Sequence, residues 1–135
     1  MDEKLRKYYL ESQVKNAAPG QMLIMLYDGL IQQAERADSE ISSPENLKDP
    51  SPASLATSRC IDIMTELNRS LNFNADPALC SRLSGLYLFF TREFSEAFNK
   101  SEPKRIRDIL PMIRDLRNTW FEADRRANRF QAVAA

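Results

Sequence analysis

The sequence predicts an all-α protein, an antiparallel up-down four-helix bundle with a short N-terminal helical segment. Three observations carry that prediction. Four long stretches place apolar residues three and four apart, the repeat of one face of a helix. Only 14 of 135 residues are β-branched and only 3 are Gly, against 14 Ala, so strands and hairpins are poorly supplied. Short breaks join the last three stretches, and links of that length make consecutive helices antiparallel neighbours.

Residues 1–18 read as an amphipathic segment with Leu5, Tyr8, Tyr9 and Val14 as its apolar points. The turn Asn16-Ala17-Ala18-Pro19-Gly20 puts Pro at a first helical position. The bundle then occupies 19–130. Its first helix runs to about Ile41 on a stripe of Leu23, Leu26, Leu30, Ala34, Ala37 and Ile41. Ser42 to Pro52 holds three prolines and is the longest loop.

Ser51-Pro52 reads as a capped start for the second helix, with Ala56, Cys60, Ile63, Leu67 and Leu71 on one face and Ile61 and Met64 beside them. Asn72 to Ala75 breaks it. Asp76-Pro77 starts the third, whose face is Leu79, Leu83, Leu86, Phe90, Phe94 and Ala97, flanked by Tyr87 and Phe98. The last helix runs from near Ser101 to about Arg126 and offers Ile106, Ile109, Leu110, Ile113, Leu116, Trp120 and Ala123. Residues 131–135 read as a frayed tail. Pro111 falls inside the last pattern. It lacks an N–H and crowds the carbonyl of Arg107, so a kink or break is expected, either a hinge or a tolerated bend.

Composition excludes several functions. There is no histidine, and 19 Lys+Arg balance 19 Asp+Glu. A Ser-His-Asp triad, a Cys-His dyad and an imidazole metal site are impossible. Two cysteines, Cys60 and Cys80, cannot build a four-thiolate zinc site. No phosphate-binding glycine loop is present. Neither a cofactor nor a metal is expected. Zero net charge offers no overall field for nucleic acid. Leu, Ile, Val and Phe make up 32 of 135 residues, above the roughly 20% below which charged chains stay disordered. The start MDEKLRKYYL lacks an apolar signal core, so the thiols read as reduced and the protein as cytoplasmic. No apolar run approaches the ~20 residues that span a bilayer, so no membrane insertion is expected.

Three features leave alternatives open. Asp28, inside the apolar run 25–31, either pairs with an Arg or a chain terminus, or is a partly exposed residue fixing register. Gly29 costs roughly 1 kcal/mol of helix propensity, and its place between Leu26 and Leu30 favours close approach of another backbone. Apolar side chains beyond the stripes, Met22, Met25, Ile61, Met64, Tyr87, Phe89 and Phe121, either form a groove for a partner helix or widen the core. Charge is divided as well. Residues 1–99 hold 10 bases and 14 acids, and residues 100–135 hold 9 bases and 5 acids. The basic end reads as a solvated helix face or a docking patch for an acidic partner.

Residues 13–31, QVKNAAPGQMLIMLYDGLI, resemble the N-terminal signature of the flagellar export chaperone family FliS. Tyr9 and Val14 keep that family's Tyr-to-Val spacing. Residues 60–67, CIDIMTEL, with Ser70-Leu71, look like its second long helix. Leu86-Tyr87 and Leu116-Arg117-Asn118-Thr119-Trp120 look like its third-helix and closing motifs. The resemblance covers residues 8–125. It departs at the turn, where Asn16 and Ala18 replace Thr and Ser. Ala18 offers no capping oxygen, a loss of order 1 kcal/mol.

The resemblance implies a cytoplasmic, non-catalytic chaperone that binds the disordered C-terminal segment of flagellin and prevents premature polymerisation before type III flagellar secretion. It implies that Tyr9 and Val14 belong to a removable groove cover. It further implies that Leu23, Leu26, Tyr27, Leu30, Ile61, Met64, Leu67, Leu71, Tyr87 and Trp120 form or support the client groove. An anti-sigma factor or an export-gate component is a further partner to be considered, and a monomer or weak homodimer is expected. Two other readings compete. One is a bundle adaptor that homodimerises through the same faces. The other is an acid-only Mg²⁺ enzyme. No side chain has an ordinary pKa between about 6 and 8, so client binding should depend little on pH there.

Overall fold

The computed structural model describes residues 20–134, with side chains as far as Ala127. Tyr9, Val14 and the rest of the N-terminal segment lie outside the described residues. Four helices follow in order: α1 (Gly20–Ser42), α2 (Ser51–Arg69), α3 (Pro77–Asn99) and α4 (Lys104–Ala134). α1 lies against α2 and α4, and α3 lies against α2 and, most loosely, against α4. The four helices therefore form a ring around one core, and no strand occurs among the described residues. This is the predicted all-α bundle.

Helix ends follow local chemistry. Asp76 caps α3, its carboxylate accepting from the backbone N–H of Leu79 at 3.1 Å, with Pro77 in the first turn. Ser51 does not cap α2 with its hydroxyl; it is the helix's first residue, and its N–H donates to Asp49 Oδ1 at 3.1 Å. Pro44–Leu47 forms a short 3-10 turn inside the predicted loop, capped by Ser43. α3 ends in a Schellman pattern. Ser101 takes a left-handed φ of 53°, and Glu102 N–H donates to Ala97 O at 2.8 Å. A serine in that conformation costs roughly 1–2 kcal/mol more than glycine would, offset by the bonds it closes. α4 continues to Ala134, so 131–134 of the predicted frayed tail are helical.

The core matches the predicted stripes in α4, which buries Ile106, Ile109, Leu110, Ile113, Leu116, Trp120 and Ala123. In the other three helices the stripe is turned by one residue at places. α1 buries Ile24 and Tyr27 and leaves Leu23 and Leu26 half-buried. α2 buries Met64 rather than Ile63, and α3 buries Tyr87 rather than Leu86. Thr57 is buried too, its hydroxyl donating to Ala53 O at 2.8 Å.

The divided charge is explained by the α1–α4 seam. Arg107, Arg114 and Arg117 of α4 pair with Asp38, Glu35 and Asp28 of α1. Bases of the positive end thus meet acids of the negative body within one molecule. These pairs are solvent-exposed and are worth little individually, about 0–1 kcal/mol each, but they fix the two helices antiparallel.

α4 runs unbroken through Pro111, whose ring is exposed. The proline removes one N–H that would have served the carbonyl of Arg107. Pro111→Ala should therefore stabilise the fold, by up to about 3 kcal/mol, the propensity difference in a helix interior. Urea unfolding followed by circular dichroism would show a raised midpoint at unchanged slope; an unchanged midpoint would mean that the missing hydrogen bond is already offset by packing.

Candidate functional site

The motifs of the sequence meet at one place in the core. Leu-Tyr-Asp-Gly (26–29) lies on α1, Leu-Tyr (86–87) on α3 and Leu-Arg-Asn-Thr-Trp (116–120) on α4. Trp120 Nε1–H donates to the Tyr27 hydroxyl at 3.2 Å, and the hydroxyls of Tyr27 and Tyr87 are 2.6 Å apart. All three side chains are fully enclosed. Arg117, three residues before Trp120, donates its Nε–H at 2.8 Å to Oδ1 of Asp28, next to Tyr27, at the surface. Asp28 thus pairs with an arginine, one of the alternatives its position had left open. Arg117 in turn sits over Phe121, 4.9 Å from the ring centroid.

Burial governs the protonation of this cluster. It pushes the Tyr27 phenol up to about 12, because the anion would have no water, and this outweighs the hydrogen bonds from Tyr87 and Trp120. A phenol so placed is neutral and serves as structure. Burial likewise pushes the Cys60 thiol up to about 12, and the buried Cys80 thiol donates to Asn72 O at 3.3 Å. The Cys60 thiol is therefore not a nucleophile at neutral pH.

The predicted groove residues fall into three groups. Tyr27, Leu30, Met64, Leu67, Tyr87 and Trp120 fill the core. Leu23, Leu26, Ile61 and Leu71 are half-buried and pack against it from outside. Tyr9 and Val14 lie outside the described residues. Leu23, Leu26 and Leu71 of the half-buried group are brought together at one end of the bundle, whereas Ile61 lies further along α2. α1 and α2 run antiparallel past Gly29, where an added Cβ would meet Ile63 Cδ1 at 3.7 Å. That is ordinary contact, so the expected close backbone approach at Gly29 is not present. The start of α1 and the end of α2 therefore share that end of the bundle.

Around that end lie side chains that the core leaves out. Met22 is 60% exposed and Met25 is 67% exposed, Phe73 is exposed just past the end of α2, and Phe121 is exposed in the middle of α4. Met25 stands one turn before Asp28 and Phe121 one turn after Arg117, so the Asp28–Arg117 pair brings both to the same face. Flexible methionines and open rings of this kind suit an apolar segment laid along the surface. Sequence reasoning singled out Met22, Met25 and Phe121 but missed Phe73, which sits in a break between helices and belongs to no stripe.

Among the described residues nothing resembling a reaction centre accompanies this surface. The charged depression at the α3–α4 turn, of about 640 Å³, is centred on Arg105, which donates to Glu102 at 2.6 Å and to Glu93 at 2.9 Å. Among the described residues no group of three or more Cys, Asp or Glu could hold a metal ion.

Comparison with known proteins agrees with the meeting of motifs. The chain is 23% identical over 118 residues to the flagellar secretion chaperone FliS of Vibrio cholerae serotype O1, covering 85% of this chain and 82% of that protein. It is 26% identical over 121 residues to the flagellar secretion chaperone FliS of Bacillus subtilis, with the same coverage of both. The family model of the flagellar protein FliS matches residues 1–127, which hold the motifs joined at Tyr27 and Asp28, and the chain belongs to that family.

Proposed function

We propose that this protein is a cytoplasmic flagellar secretion chaperone that binds the disordered C-terminal segment of flagellin and keeps it from polymerising before export. The carrying observation is the apolar surface at the start of α1, where Met22 and Met25 stand exposed over half-buried Leu23, Leu26 and Leu71. A disordered client loses ordering entropy on binding, so it needs extended apolar area rather than a pocket. The names of both relatives and the non-enzymatic character of the family support the reading. Among the described residues, no helix is long and apolar enough to cross a membrane.

Calorimetric titration with a peptide of the flagellin C-terminal segment tests this. Saturable one-to-one binding with a negative heat-capacity change is expected, equal at pH 6 and pH 8 because the chain has no histidine. No heat at several temperatures, together with a tight dimer in light scattering, would favour the adaptor role instead.

A further inference from the structure

α3 carries a second face that neither the core nor the end of the bundle uses. Arg82, Gly85, Phe89 and Arg92 follow at spacings of three, four and three, a single stripe, and Leu88 lies beside it. Leu88 is 59% exposed and Phe89 is 40% exposed. Gly85 is exposed in mid-helix, and a Cβ added there would meet nothing within 4 Å. Among the described residues its lack of a side chain serves no packing. Neither Arg82 nor Arg92 forms a salt bridge among the described residues: Glu93 pairs with Arg105 and Glu96 with Lys100, and Arg92 acts on Glu96 only through its charge, behind Lys100 and Arg105.

We propose that this face docks an acidic amphipathic helix of a partner protein. The bare backbone at Gly85 is a notch that lets a second helix come close, while Leu88 and Phe89 supply the apolar contact. The two arginines sit ten residues apart, about 15 Å along the axis, and call for carboxylates at the same spacing on the partner. Charge selects the occupant. A second copy of α3 would present arginines with few unengaged acids to meet them. An anionic membrane gains nothing from a notch, and two arginines make a weak anchor to it. Nucleic acid would need a longer run of cations than this stripe holds.

The test uses the full chain and a fluorescent 18-residue helix-forming peptide, with a Leu/Ala stripe and Glu residues ten positions apart. A twin peptide carries Lys in place of Glu, and vesicles of phosphatidylserine and phosphatidylcholine form a third arm. The acidic peptide should bind at least tenfold tighter than its Lys twin and tighter than the vesicles. Arg82→Glu with Arg92→Glu should invert the peptide preference. Gly85→Leu gives the sharpest readout, since it adds helix propensity in open space: the melting temperature should rise while peptide affinity falls at least tenfold. Equal binding of both peptides, undiminished binding to Gly85→Leu, or binding to vesicles alone would each overturn the proposal.

Discussion

Trp120→Ala should destabilise this protein by about 3–5 kcal/mol, the usual cost of deleting a large buried aromatic side chain. Stabilities of small domains are about 5–15 kcal/mol, so the variant should unfold at markedly lower urea and temperature. The loss has two parts. One is the cavity left by a fully enclosed indole. The other is the bond from its Nε1–H to the Tyr27 hydroxyl, which joins α4 to α1. Tyr27→Phe isolates the second part. It keeps the ring and removes the hydroxyl shared by Trp120 and Tyr87, at a cost of about 1–3 kcal/mol. A double-mutant cycle of Tyr27→Phe with Trp120→Phe should show the two effects to be coupled. Strict additivity would mean that the 3.2 Å contact contributes nothing. Tyr27→Phe also has a convenient optical readout, because the bond ends on the chain's single tryptophan.

The same hydroxyl predicts a limit at alkaline pH. Tyr27 holds its proton to about 12 in the fold against 10.0 when unfolded, chiefly through desolvation. Between those values the folded state binds more protons than the unfolded state, so stability falls as pH rises. The full contribution is present below pH 10, and about 2 kcal/mol is lost by pH 12. Cys60 acts in the same direction from 9.0 to about 12. Tyr27→Phe should therefore reduce the alkaline fall in stability without abolishing it.

Helix number, order and breaks were legible in the sequence because they depend on local signals: apolar repeats, Pro and Asp at starts, short polar links. The α4 stripe was legible too, since its outer face is densely charged and leaves one apolar solution. In α1 two solutions compete. Leu23 with Leu26 and Ile24 with Tyr27 both fit the repeat, and hydrophobicity favours the leucines. The fold turns Tyr27 inward because α3 and α4 offer its hydroxyl partners. That choice is made by residues 60 and 93 positions away, which a window along the chain does not see. The same reason makes Tyr87 core and Leu86 its neighbour outside. The resemblance located the right motifs, yet these motifs chiefly hold the bundle together. Asp28, Tyr27, Arg117 and Trp120 are joined to one another, and the exposed apolar surface lies in the less distinctive residues next to them.

That separation sets the second large expectation. Met22→Glu with Met25→Glu should leave the fold intact and cost about 2–4 kcal/mol of flagellin-peptide binding, at least a 30-fold loss of affinity. Both side chains are mostly in water in the free protein, so the substitutions remove little from the core. The cost arises only in the complex, where two apolar side chains would be covered and two carboxylates would have to be dehydrated. Leu47→Glu is the matched control. Leu47 is 90% exposed on the 3-10 turn at the far end of the bundle, so the same kind of change should leave affinity as it was. Circular dichroism and unfolding midpoints of both variants should match the parent. Equal loss in both variants would indicate a general effect of added charge rather than a contact at the start of α1. No loss in either would move the client away from the start of α1 and towards another seam of the ring. Loss confined to the methionine variant would make the side chains that the core leaves out the ones that hold the client, with Tyr27 and Trp120 keeping the helices beneath them in place.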